Sequence, residues 1–194
     1  MRYVLASGSP RRKELLGGLG FEFEIIPATG EEVITSDVPS EVVKSLSQQK
    51  AKEIFHKLFT DNKDTLVVIG SDTVVSYKEK ILGKPTDRQD ARRMIESIAG
   101  GTHEVYTGVT LCYSENGEAK EFTFYECTEV RVFPMTDSEI EAYLDTDEPY
   151  DKAGAYGIQG IFGKYVKGID GDYNCVVGLP VARLYQEMKN LNLI

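Results

Sequence analysis

The sequence predicts an α/β protein, one domain spanning residues 1–194 in which flanking helices pack on a mixed sheet. Three observations predict it. An apolar run at residues 3–6 (YVLA) leads through Ser7-Gly8-Ser9 into a segment of helical periodicity. Residues 65–70 (TLVVIG) form a continuous apolar run, as expected of a strand buried on both faces. Strand-like segments at 103–113 and 121–133, separated by the turn residues Asn116-Gly117, set a long hairpin among helical patterns. Helices and strands intermixed in this way pack as layers of helix on sheet.

Taken in order, residues 3–6 make the first strand, and the following helix opens at Pro10. Ser9 is its N-cap, Leu15, Leu16 and Leu19 its apolar face, and Gly20 its stop. Residues 21–26 (FEFEII) alternate as a half-buried strand does. Between Ser40 and Leu58, the residues Val43, Leu46, Ala51, Ile54 and Leu58 recur at steps that mark an amphipathic helix. Residues 74–82 form a hairpin turning at Lys78-Glu79. Capping boxes at Thr86-x-x-Gln89 and Thr136-x-x-Glu139 start two further helices. The glycine-dense region 154–178 reads as a looped surface where backbone passes close to something, and Pro180 opens a last helix carrying Leu184 and Met188.

Charge narrows the function. With 22 Lys+Arg against 31 Asp+Glu, the formal net charge is -9. Nucleic-acid phosphates and anionic lipid repel such a chain unless its cations gather locally, so neither nucleic acid nor membrane is an expected partner. No apolar stretch approaches a membrane span, and the N-terminus lacks a signal-like apolar core. Cys112, Cys127 and Cys175 lie far apart with no CxxC spacing, which reads as buried thiols in a reducing cytoplasm.

Several residues sit against the local rules. Arg11, Arg12 and Lys13 fall in the first turn of a helix, where the dipole disfavours cations. An anion bound there resolves the conflict, and Ser7 and Ser9 add hydroxyls to the free backbone amides; a solvated basic turn is the alternative. Asp72 follows the buried 65–70 run, where α/β sheets place ligand-facing residues, although an Asx turn explains it too. Lys50 interrupts an apolar stripe and either snorkels or faces inward. Glu31-Glu32, for which a solvated turn is the alternative, and Lys84 in the Gly83-Lys84-Pro85 turn complete a set in which carboxylates hold a divalent ion or activate water and cations hold phosphate oxygens. No P-loop, Rossmann glycine triplet, HExxH motif or nucleophile elbow is present, and His56 and His103 stand isolated.

The runs LASGSPRRKELL (5–16), GSDTVV (70–75), GKP (83–85), DKAGAYGIQG (151–160) and GDYNCVVGLP (171–180) resemble the Maf family of nucleoside triphosphate pyrophosphatases over almost the whole chain. The resemblance implies a cytoplasmic, homodimeric, metal-dependent enzyme that releases pyrophosphate from a nucleoside triphosphate. It also implies an elongated two-lobed fold similar to that of inosine triphosphatases. On matching motif positions it makes Asp72 the catalytic base and, with Glu32, a ligand of a divalent cation (Mg, Mn or Co). Arg11, Arg12, Lys50 and Lys84 then meet the phosphates. Thr73 and Gln159 match the branch acting on dTTP and UTP, while Ser71 resembles the branch acting on 7-methyl-GTP. A nucleotide-binding regulator of cell division without essential turnover is the alternative that the same family leaves open.

Overall fold

The computed structural model describes residues 1–60 and 65–194. A seven-stranded mixed sheet runs in the order β2-β1-β3-β5-β6-β7, with β4 paired to β3 off that path. Strand β1 (Arg2–Leu5) lies parallel to both β2 (Glu24–Ile25) and β3 (Leu66–Tyr77). Antiparallel pairing joins β3 to β4 (Lys80–Leu82) and to β5 (Thr102–Glu115), then β5 to β6 (Glu118–Val132) and β6 to β7 (Val166–Asp170).

Strand alternation sorts β3 onto two faces. Val67 and Ile69 pack with Leu16 of α1 (Pro10–Gly17) and with Leu184 and Met188 of α6 (Val181–Asn190). Val68 points the other way, into a cluster with Ala51, Ile54 and Phe55 of α2 (Pro39–Leu58), and Val74 joins Val42, Val43 and Leu46 nearer that helix's start. Farther along the strands, Val75, Val105 and Val130 pack with Ile95 and Ile98 of α3 (Arg88–Ile98) and with Ile140 and Tyr143 of α4 (Asp137–Leu144).

Two glycines set how close α2 comes to the sheet. A Cβ on Gly70 would stand 2.3 Å from the Ser47 carbonyl oxygen, and one on Gly108 would stand 2.3 Å from that of Val43. Backbone therefore packs on backbone, with Ser47 and Ala51 nearest Gly70. A glycine inside a strand marks this kind of approach.

Several elements depart from the sequence expectation. Asp72 does not end a strand: β3 continues to Tyr77 because residues 67–76 pair with β5 long after β1 has stopped. Of residues 21–26 only Glu24 and Ile25 pair, and both are exposed, so alternation there reflects Phe21 and Phe23 packing beside α1 rather than a full strand. Helix α1 ends at Gly17, its last carbonyls are met by Gly18, and Gly20 forms a left-handed turn beyond it. Asp87, not Thr86, caps α3, accepting from the Asp90 amide at 2.8 Å while Asp90 reaches back to the Thr86 amide. The box at Thr136 is present with both hydrogen bonds. Region 154–178 is less irregular than its glycines indicate, since it holds β7 and the short α5 (Tyr173–Val177). Both hairpin turns match expectation, with positive φ at Lys78, Glu79, Asn116 and Gly117. Cys112 and Cys175 are buried, and burial pushes their thiols up to about 12 and about 11, whereas Cys127 is half-buried.

Candidate active site

The sheet itself leaves the opening. Strand β1 covers one edge of β3 over residues 66–69 and β4 covers it over 75–77, so among the described residues no strand pairs with 70–74 on that side. A cavity of about 780 Å³ lies there, bounded by the start of α1, the middle of α2, the turn at Gly83 and residues 148–160. Successive residues of β3 reach it from opposite faces of the sheet.

On the α2 face stands Asp72. Its Oδ1 accepts from Lys50 Nζ at 2.5 Å, and the same ammonium lies 2.8 Å from Glu32 Oε1. The close seating of α2 on Gly70 and Gly108 brings Lys50 within reach. Glu32 belongs to a segment without regular structure, and α2 holds that segment at two points. The Gln49 amide takes both the N–H and the C=O of Val33, and Glu53 accepts from the amides of Thr29 and Gly30. The Lys57 ammonium and those amides hold the Glu53 carboxyl down at about 2.

On the opposite face Thr73 meets α1. Ser9 caps the helix and Pro10 opens it, which projects Arg11 and Arg12 from a first turn containing no acidic residue. The two arginines have different surroundings. Arg12 donates to the Gly178 carbonyl at 2.8 Å, to Thr73 Oγ1 at 3.0 Å and to Ser7 Oγ at 3.3 Å. Burial lowers its pKa, with Asp72 and Glu32 opposing that shift. Thr73 Oγ1 also lies 2.9 Å from Thr107 Oγ1, and Ser71 donates to the same Gly178 carbonyl. Arg11, by contrast, has no hydrogen bond or ion pair among the described residues, and neither does Lys84 across the cavity.

Every residue that the family resemblance places in the site therefore lines this cavity, as does Ser9; Ser7 sits beneath it holding Arg12 and the Ser9 amide, and Lys13 and Glu31 are not among its lining residues. Gln159 lines the far wall and is exposed. Among the described residues no group of three His, Cys, Asp or Glu side chains is placed to hold a metal ion. Glu148 and Asp151 line one side of the cavity, and Asp72 and Glu32, which share the Lys50 ammonium, are the carboxylates on its α2 side. This donor set fits a hard cation that keeps several waters and takes further oxygens from a bound phosphate. Sequence reasoning missed Glu148, Lys152 and Tyr156, which also line the cavity. The motif run 151–160 contained two of them, but no local pattern distinguishes a cavity-lining side chain from a loop residue.

A family model described as Maf-like protein matches residues 2–191. The chain belongs to the Maf family. Among Maf relatives, a protein of Agathobacter rectalis named dTTP/UTP pyrophosphatase is 52% identical, covering 98% of this chain and 97% of its own length. Relatives of the same name from Lachnoclostridium phytofermentans and Bacillus anthracis are 46% and 47% identical over 98% and 99% of this chain. The solved Staphylococcus aureus Ham1 protein aligns with a TM-score of 0.42 at 10% identity over 68% of the Maf chain.

Proposed function

We propose that this Maf protein hydrolyses dTTP and UTP to the monophosphate and pyrophosphate with a divalent cation bound at Asp72 and Glu32. The observation that carries the reading is the convergence of two unpaired cations, Arg11 and Lys84, on the cavity that Asp72 enters. Full-length relatives bearing the name dTTP/UTP pyrophosphatase support it.

Arg11 and Lys84 then meet the triphosphate oxygens, with Arg12 already held in place by Ser7, Thr73 and Gly178. Water attacks the α-phosphorus, the bond from that phosphorus to the bridging oxygen breaks, and pyrophosphate leaves. Asp72 takes the water's proton, and Lys50 keeps the carboxylate oriented through Oδ1. The cation supplies charge neutralisation along the phosphates. Gln159 presents an amide that both donates and accepts, which matches the carbonyl and N–H of uracil or thymine. Thr73 acts through Arg12 in this arrangement, because its hydroxyl is already engaged by that guanidinium and by Thr107.

Three free thiols favour a reducing, cytoplasmic setting, and a homodimer is carried over from the family resemblance, for sedimentation to test. The deciding experiment is a panel of nucleoside triphosphates with Mg, Mn or Co, resolving pyrophosphate from orthophosphate. Pyrophosphate from dTTP and UTP, abolished by chelator, is expected. Tight nucleotide binding without turnover would instead favour the regulator reading.

A further inference from the structure

The loop that carries Gln159 rests on two side chains of the segment before it. Glu148 turns its carboxylate under the loop: Oε2 accepts from the Ile161 amide at 2.6 Å, and Oε1 accepts from the Phe162 amide at 3.2 Å and from Tyr143 OH at 3.1 Å. Lys152 Nζ donates to the Glu148 carbonyl at 2.8 Å and pairs with Asp151 at 2.6 Å. The glycines on either side of Gln159 fit these groups. A Cβ on Gly160 would stand 2.1 Å from Glu148 Oε2, and one on Gly157 would stand 2.9 Å from Lys152 Cδ. Neither has a left-handed φ, so the backbone does not call for glycine there; at Gly160 the hydrogen-bonded Glu148 carboxylate occupies the space, whereas at Gly157 the neighbour is the flexible Lys152 stem.

With both carboxylate oxygens engaged by the protein, Glu148 is neither a free base nor a spare metal ligand. We infer that Glu148 is a positioning residue for substrate selectivity: its carboxylate is the seat that fixes the height and register of residues 157–160 and so sets where Gln159 meets the base. This rests on the proposed pyrimidine nucleotide reading.

The test uses the full chain in four forms: wild type, Glu148→Ala, Gly160→Ala and the double variant. With Glu148 in place, the methyl introduced by Gly160→Ala collides with the carboxylate. In the Glu148→Ala background the three atoms nearest that methyl, all of the Glu148 carboxylate, are gone. Gly160→Ala alone is expected to lower kcat/KM for UTP about tenfold, mainly through KM, and to shrink the UTP-to-GTP ratio, because misplacement of a positioning group is that costly. Added to Glu148→Ala, it should change either quantity by less than about twofold, as expected of two changes acting on one contact. Equal losses from Gly160→Ala in both backgrounds, or an unchanged UTP-to-GTP ratio in both single variants, overturn the seat. Melting midpoints of the four proteins read the same contact without substrate. A midpoint shift from Gly160→Ala that vanishes in the Glu148→Ala background supports the seat, and equal shifts overturn it. Should wild type cleave no nucleotide, the pyrophosphatase reading fails while the melting cycle still decides the role of Glu148 in the loop.

Discussion

Asp72 is nearly buried, and among the described residues only its Oδ1 is engaged by a side chain, that of Lys50. Asp72→Asn keeps the shape and removes the charge, and Lys50 retains Glu32 as a partner. Turnover of UTP should fall by about 10²- to 10⁴-fold, with the circular dichroism spectrum unchanged, since that is the usual contribution of a general base. Retention of turnover within about twofold would reduce Asp72 to a partner of Lys50. Gln159 faces the cavity from an exposed position, so its replacement alters recognition without disturbing the core. Gln159→Glu loses the amide donor and adds a negative charge opposite a base carbonyl. The UTP-to-GTP efficiency ratio should fall on the order of 10²-fold, as it does when a site's polar group is left unpaired. An unchanged ratio would show that Gln159 does not read the base. Residue chemistry made these positions conspicuous in the sequence, although it did not distinguish Arg12, with three side-chain hydrogen bonds, from Arg11, whose side chain makes no hydrogen bond or ion pair among the described residues.

Helix α2 is the element on which the site depends, since it contributes Lys50, Gln49 and Glu53 and bears on both glycine seats. Gly108→Ala forces a methyl against the Val43 carbonyl, which belongs to backbone that cannot rotate away. The helix must lift, and such overpacking costs ~1–3 kcal/mol. The same shift carries Lys50 away from Asp72. A lower denaturation midpoint accompanied by loss of turnover is expected, and normal kinetics in a destabilised variant would show that the Lys50–Asp72 pair tolerates the displacement. Periodicity located α2 to within a residue of its observed start. It could not show that Gly70 and Gly108 lie under it, because their contacts are with residues distant in the chain.

At the scale of the whole molecule, the buried His103 beside Tyr156 makes stability depend on pH. His103 Nε2 lies 2.7 Å from the hydroxyl of Tyr156, while Nδ1 has no partner among the described residues. Burial lowers the imidazole from 6.5 to about 4. Between those values the unfolded chain binds a proton that the folded chain does not, so the His103 contribution falls as pH drops from 6.5 towards 4. The loss is on the order of 3 kcal/mol over that window. His103→Gln cannot titrate, so urea midpoints measured from pH 7 to pH 4.5 should fall less steeply in the variant than in wild type. Parallel slopes would mean that His103 is not the group responsible.

By itself, the sequence determined every helix of eight residues or more, most strands, the two hairpin turns, and the charged residues at the start of α1, on α2 and on β3 that face the site. Those features rest on periodicity, capping and side-chain chemistry within a few positions along the chain. Only the tertiary structure decided that β3 runs on past Asp72, and that the cavity is the interval between β1 and β4 on its edge. It likewise decided that Asp72 and Thr73 lie on opposite faces of the sheet, and that Gly160 makes room for Glu148. Each of these depends on which distant strand or side chain occupies the neighbouring space. Pairing register and close packing set that between segments far apart in the chain, and a local pattern carries no record of it.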